Sequence, residues 1–413
     1  MNLIFWIILI ALIVEFLIGT VSTVLNMRSL SSTPPRGLED IYESAGYERS
    51  QEYTLANAKF GLIFSTIKLP LGLIFWFAGG FNYVDQFLLD MHWNEIITGI
   101  MFIGVLGLLN MVVDMPFSLY STFVIEQKFG FNKTTYGTFL LDMVKSLAIS
   151  IAIGIPILAG VLYFFSNAGS MGWLIVWIFI TLISLAMVFI APVWIMPLFN
   201  KFTPLQAGAL RNAIANYAET VHFKYGDIYV IDGSKRSSHS NAFFTGFGKT
   251  KRIALFDTLV EQLNNEEIVS VIAHEVGHSK KKHILSSTLL GILHTGALLF
   301  ILSLFMENQM LFDAFYMETT SVYGSIVFFG VLFTPVEMVI SPLVQLISRK
   351  NEHQADEWAV QTTTNREYLI TSLKKLAANN LSNLSPHRFF VILNYSHPPL
   401  AKRIDYINNI HQR

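Results

Sequence analysis

Cysteine is absent from this 413-residue chain, and charge is scarce. Without cysteine there are no disulfides, no thiolate metal sites and no cysteine nucleophile, and the redox compartment is left open. Charged residues make up 14% of the chain, against about 25% in ordinary soluble domains. The net charge of −1 gives no reason to expect a nucleic-acid partner. Internal repeats and low-complexity tracts are also missing. The chain is instead rich in hydrophobic residues, 53% of the total, gathered into runs. Its length would suit two or three soluble domains, but this composition points to a polytopic membrane protein.

Seven stretches are long and apolar enough to span a bilayer, which takes about 20 residues. They run approximately over 3–25, 60–81, 96–119, 146–165, 173–196, 284–305 and 325–347. The first lacks a basic leader and is long for a signal peptide, so it reads as a retained helix. The loops separate by charge. Residues 82–95 and 307–324 hold acids but no Lys or Arg, and 167–172 hold no charge. The opposite side carries Arg28, Arg36, Arg49, Lys128, Lys133, the basic segment from Lys201 to Lys282, Arg349 and Lys350. The positive-inside rule then predicts an outer N-terminus and a cytoplasmic C-terminus, as an odd number of spans requires. Glu15, Lys68, Asp114, His294 and Glu337 interrupt the spans. Such groups meet a partner, snorkel or meet water, and together they suggest a wet interior between the helices.

The division expected is 1–199 for five spans and their loops, 200–283 for a cytoplasmic catalytic segment, 284–347 for spans six and seven, and 348–413 for a second cytoplasmic segment. In the first cytoplasmic segment the sequence reads as a helix over about 204–221 and strands at 227–232 and 252–257. Between the strands lies SHSNAFFTGF, from Ser238 to Phe247. A strand edge beside a metal site can bind an extended peptide through backbone hydrogen bonds; a plain surface hairpin is the alternative.

Most informative is His274-Glu275-Val276-Gly277-His278. Asn264 and Asn265 can cap a helix here, with Glu266 and Glu267 in the first turn and Lys280, Lys281 and Lys282 in the last, the order a helix dipole favours. Four residues apart, His274 and His278 share a face and can hold one zinc ion, with Glu275 toward the side of a bound water. Zinc lowers that water's pKa from 15.7 to about 7. A solvated helix end with two ordinary histidines is the bland alternative. Such a site needs a third protein ligand. Glu352 and Asp356 share a helix face; Glu352 can be that ligand and Asp356 can accept the free N–H of a ligand histidine. His353 competes but points off that face, and a charged helix end outside the membrane remains open. Near the end, Ser396-His397-Pro398-Pro399 opens a helix with Arg403 one turn on. His397 and Arg403 either face the metal and stabilise an oxyanion or form a simple cap and a surface arginine.

These blocks in this order resemble the type I CAAX prenyl endopeptidases, integral-membrane zinc proteases. The likeness rests on DMPFSLYSTFVIEQKFGFNKTT from Asp114, PLFNKFTPL from Pro197, SSHSNAFFTGFGKTKRIALFDTL from Ser237, IAHEVGHSKKKH from Ile272, SRKNEHQADEWA from Ser348 and SHPPLAKRI from Ser396. Val276 stands where leucine often precedes the glycine. The resemblance implies an all-α polytopic protein whose seven transmembrane helices form a barrel around a water-filled chamber. A cytoplasmic zincin-like catalytic domain with a small β element closes it. The resemblance makes His274, His278 and Glu352 the ligands of one Zn2+ per chain and Glu275 the general base. Asp356 then lies behind a ligand histidine, Asn241, Ala242, Phe243, Phe244 and Gly246 lie along the substrate strand, and His397 and Arg403 lie near the metal.

It further implies cleavage after a prenylated cysteine. The runner-up is a quality-control protease of the HtpX type with unprenylated substrates, and a non-catalytic scaffold or transporter is a third reading that the intact Glu275 argues against. Expected partners are a peptide or protein substrate, lipidated or not, and membrane lipids, with the chain working as a monomer and no nucleic acid involved. The length and the lack of an obvious retrieval tail point to a bacterial cell membrane, with the endoplasmic reticulum membrane the alternative in a eukaryote.

Overall fold

The computed structural model describes residues 1–42, 44–245 and 251–410. Among the described residues, six helices are long and apolar enough to cross a membrane: Leu3–Arg28, Gly46–Phe77, Glu95–Glu126, Tyr136–Asn167, Gly169–Leu198 and His283–Leu304. A seventh span is broken. Val322–Leu332 and Thr334–Thr362 meet at a 57° bend, where Pro335 opens the second helix. Proline lacks the N–H that would continue the ladder but suits a first turn. The apolar run therefore predicts a straight span where the chain bends. Several spans also outrun their apolar stretches. The second begins within polar sequence near Gly46, and the fourth begins at Tyr136, capped by Thr135. Hydropathy marks only the part of a helix that needs lipid; helix propensity and capping carry it further.

In those six spans only 6–22% of the most apolar window is buried. A solid bundle would bury a stripe along every helix. The spans therefore face lipid outside and open space inside, as a barrel around a chamber does. Four of the five intramembrane polar groups form two pairs across helices: Lys68 Nζ lies 2.8 Å from Asp114, and His294 Nε2 lies 3.0 Å from Glu337.

One end of the barrel is plugged by an aromatic core that includes Phe5, Trp76, Phe102, Phe312, Phe315 and Phe328. At the other end sits a second core. There Ile268, Ile272, Ala273 and Val276 of the helix Asn265–Lys280 pack against Ile214, Leu255 and Ala359. A four-stranded sheet flanks this helix: β1 Phe202–Pro204, β2 Asp227–Ile231, β3 Ala242–Thr245 and β4 Arg252–Phe256, in the order β1-β2-β4-β3. β2 and β4 are parallel, and β3 is antiparallel to β4 at the sheet edge. The helix expected from about 204 starts at Ala209, because Phe202–Pro204 pairs as β1 instead.

Candidate active site

The helix carrying the two histidines is fixed at its start by a reciprocal cap. Asn264 accepts from the Glu267 N–H, and the Glu267 carboxylate accepts from the Asn264 N–H. Such boxes satisfy two of the four N–H groups a helix start leaves unpaired. The helix ends at Lys280, and Lys282 takes a left-handed φ of 61° that turns the chain into the sixth span. Midway, Gly277 lies against the Thr334–Thr362 helix, the one that carries Glu352 and Asp356.

Three donors converge at this crossing. His274 Nε2 is 3.2 Å from His278 Nε2 and 3.4 Å from Glu352 Oε2, and His278 Nε2 is 3.3 Å from Glu352 Oε1. Their ligand atoms all lie within 4.8 Å of one another, a set able to hold a metal ion. Glu352 Oε2 is buried without a hydrogen-bond partner, a costly state unless a cation meets it. His274 is backed by Asp356, whose Oδ1 lies 2.8 Å from Nδ1. Burial alone would lower the His274 pKa, but Asp356 and Glu352 outweigh it and push it up to about 9. Asp356 is in turn gripped by Arg403, which donates from Nε at 2.9 Å and from Nη2 at 2.6 Å. Those two nitrogens are engaged behind the donor triangle; Arg403 Nη1 lies 3.8 Å from Glu352 Oε2. His353, the competing ligand, packs on the Tyr406 ring at 4.4 Å, off the cluster.

His397 approaches from the open side. Its side chain is 62% exposed, and Nε2 lies 3.4 Å from Glu352 Oε1. Nδ1 pairs with Ser396 Oγ at 2.8 Å, and although the side chain is largely exposed, the protein around its site-facing edge partly desolvates the ring and lowers its pKa. Where the Ser396 hydroxyl donates to Nδ1, a neutral ring carries its proton on Nε2 and presents it as a donor toward the site. Burial also pushes the Glu275 carboxyl up, which makes it a better proton acceptor than an exposed glutamate. Glu275, His397, Asn241 and Ala242 line two cavities that meet at the cluster. One, of about 600 Å³, runs toward Leu376, Asn380 and Tyr395. The other, of about 700 Å³, runs toward Phe244, Ser287 and Thr288 at the start of the sixth span.

Ala242, Phe243 and Phe244 lie on β3, whose outer edge is unpaired among the described residues. Asn241 precedes it, and its carbonyl accepts from the Phe256 N–H. Gly246 lies outside the described residues. Three participants have no role assigned from the sequence. His283 and Gln354 stand behind His278, with His283 Nδ1 at 3.1 Å from His278 Nδ1 and His283 Nε2 at 2.8 Å from Gln354 Oε1. His239 anchors the start of the β3 segment between Glu126 and Asn380. His283 follows the HEVGH block by five residues, a signal that the helix end obscures.

Residues 23–201 match the CAAX prenyl protease N-terminal family with five membrane helices, and residues 204–411 match peptidase family M48. The chain is 37% identical to the CAAX prenyl protease 1 homolog of Arabidopsis thaliana, over 94% of each chain. It is 35% identical to CAAX prenyl protease 1 of Saccharomyces cerevisiae, over 96% of this chain and 94% of that one. The crystal structure of S. mikatae Ste24p superposes with a TM-score of 0.94 at 33% identity, covering 99% of this chain and all of that one.

Proposed function

The chain belongs to peptidase family M48 and carries the N-terminal membrane region of the CAAX prenyl proteases, and from that premise we propose that it is a zinc metalloendopeptidase that cleaves near the C-terminus of prenylated CAAX-type proteins or peptides. The observation that carries this reading is the donor triangle of His274, His278 and Glu352, set beside Glu275 where two cavities meet. Zinc bonds of 2.0–2.1 Å in a tetrahedron separate ligand atoms by about 3.3–3.4 Å. The observed 3.2, 3.3 and 3.4 Å support zinc as the metal.

Held by these three residues, zinc supplies a Lewis acid and lowers a water's pKa to about 7. Glu275 takes the proton from the attacking water and hands it to the leaving amine. Asp356 fixes His274 with its proton on Nδ1, and Arg403 holds Asp356 in place. His397 donates its Nε2–H to the oxygen that gains charge as the carbonyl is attacked. The unpaired edge of β3, from Ala242 to Phe244 and continuing toward Gly246, aligns the extended substrate backbone, with Asn241 at its head.

The chamber accommodates a lipidated or extended chain, with membrane lipids around it, and one protomer contains every residue named, so a monomer suffices. The basic loops on the catalytic side support a cytoplasmic active site and C-terminus with an outer N-terminus. The membrane is the cell membrane if the source is a bacterium and the endoplasmic reticulum if it is a eukaryote.

The test is cleavage of a farnesylated CAAX peptide by the purified protein beside Glu275→Gln. Cleavage after the prenylated cysteine by the parent alone is the expected result. Zinc at one per chain with no cleavage would remove the CAAX specificity and direct attention to unprenylated membrane peptides.

A further inference from the structure

The two histidines of the donor triangle are backed differently. His274 has a carboxylate behind it, Asp356, in the usual manner. His278 has another imidazole, His283, buried with 6% of its surface exposed. The rings of His278 and His283 meet edge-on, with centroids 5.1 Å apart and planes at 75°.

Proton positions follow from the atoms. His278 turns Nε2 toward His274 and Glu352. To bind a metal there it must keep a lone pair on Nε2, so its ring proton lies on Nδ1. That Nδ1–H points at His283 Nδ1, 3.1 Å away. His283 must therefore accept at Nδ1, which puts its own proton on Nε2. At 2.8 Å from that Nε2 is Gln354 Oε1, an acceptor. The chain of bonds runs in one direction, with every donor meeting an acceptor. The reverse direction would place a proton on His278 Nε2 and block the metal.

We propose that His283 is a positioning residue for the metal: it fixes the tautomer and orientation of His278 through a neutral imidazole relay ending on Gln354. The proposal rests on His274, His278 and Glu352 being the zinc ligands. The relay also has a mechanical side. His283 is the first residue of the sixth span, directly after the left-handed turn at Lys282. Gln354 lies on the same helix as Glu352, the continuation of the seventh span. Both supports of His278 thus come from chamber helices. His274, by contrast, is backed by Asp356 and by Arg403 of the C-terminal helix Leu400–Asn408. The ligand set is tied to the membrane barrel through one histidine and to the C-terminal segment through the other.

The measurement is zinc affinity of the detergent-purified full chain, by competition with a chelating dye, on the parent and on His278→Ala, His283→Ala, His283→Asn and Gln354→Ala. Asparagine places its Oδ1 where His283 has Nδ1, so it can accept the His278 proton without an imidazole. Losing such a partner weakens metal binding about 10–100-fold. His283→Ala is expected to fall in that range, His283→Asn to stay near the parent, and Gln354→Ala to lose affinity less than His283→Ala. The visible spectrum of the cobalt-substituted protein should change in His283→Ala and be restored in His283→Asn. Parent affinity in His283→Ala overturns the proposal, as does an equal loss in His283→Asn, which would make the role one of packing. Should His283→Ala not fold, His283→Asn and Gln354→Ala decide the matter: near-parent affinity in the first with a reduction in the second supports the relay, and any other pair overturns it. A parent that binds no zinc would instead sink the metal reading itself, and a parent that binds one zinc with His278→Ala unaffected would remove His278 from the ligand set.

Discussion

Gly277 touches Ala355 at the crossing of the two helices that carry the donor triangle. A Cβ on Gly277 would stand 3.0 Å from both Cα and the carbonyl oxygen of Ala355, and 3.0 Å from Trp358 Cβ. The backbones approach this closely because one of them has no side chain. His278 lies one residue after Gly277, and Glu352 lies one turn before Ala355, so the glycine sets the separation of the proposed ligands. Two of the atoms met are backbone, which yields less readily than the end of a flexible side chain. Gly277→Ala is expected to push the helices apart, with an overpacking cost of about 1–3 kcal/mol, and to reduce zinc per chain. Thermal unfolding and metal analysis on the same preparation check both. An unchanged melting temperature with full zinc would show that the crossing can relax.

Asp356 Oδ1 faces His274 Nδ1 at 2.8 Å and Arg403 Nη2 at 2.6 Å, and the carboxylate is wholly buried. Asp356→Asn keeps the shape and removes the charge. It leaves Arg403 buried without its counter-ion, and breaking a buried pair in this way costs about 3–5 kcal/mol. It also lets His274 take the wrong tautomer. Zinc affinity should fall about 10–100-fold. Chelator competition reads the second effect separately from unfolding. A variant that is less stable yet holds zinc as the parent does would confine Asp356 to a structural role.

Helical spacing puts His274 and His278 on one face and Glu352 and Asp356 on the face of another helix, but spacing left Glu352 open as the third member, and it was the family resemblance that singled it out. The spans were legible because apolar runs of that length have few other uses. The bend at Phe333 was not, since Pro335 fits an unbroken helix start as well as a kink. Nor was the employment of Arg403: the sequence offers it as an oxyanion donor, and only the fold brings it behind Asp356. His283 and His239 went unassigned because their partners, Gln354 and Glu126, are distant in sequence, and pairing of that kind leaves no periodic trace. β1 was hidden for a related reason. Phe202–Pro204 is short and becomes a strand only by pairing with β2.

The start of β3, the proposed substrate strand, is held by a histidine that two acceptors flank. His239 Nδ1 is 3.0 Å from Asn380 Oδ1, which also accepts from the Ser240 N–H at 3.4 Å, and Nε2 is 3.4 Å from Glu126 Oε2. Phe131 stacks on the ring at 4.0 Å. Its contact with Glu126 raises the His239 pKa, opposed by burial and helped by Asn380. The sign follows directly. The folded pKa lies above the unfolded value of about 6.5, so the contribution is fully present below that value and lost as pH rises through the folded pKa. The KM of a peptide substrate should therefore climb on the alkaline side while zinc content holds constant. Glu126→Gln should move that climb to lower pH. Superimposable KM profiles for the two proteins would detach His239 from substrate alignment.

Removal of the metal and removal of the base should separate cleanly. Among the described residues Glu352 Oε2 is buried with no hydrogen-bond partner and its Arg403 counter-charge stands off at 3.8 Å, so stripping the metal leaves the buried carboxylate with weaker compensation. A ligand that binds only the folded state stabilises it by about 2.7 kcal/mol at 100 times its Kd. Chelation should therefore lower the melting temperature as well as abolish cleavage, and added zinc should restore both. Glu275 is not a member of the triangle. Glu275→Gln should keep one zinc per chain and the parent melting temperature while kcat falls by about 10²–10⁴-fold, the usual worth of a general base. The two treatments then give inactive proteins of different stability. If Glu275→Gln lost its zinc, the carboxylate would be holding the metal as well as moving the proton. If chelation left the melting temperature unchanged, the helix crossing at Gly277 and Ala355 would hold the fold without help from the ion.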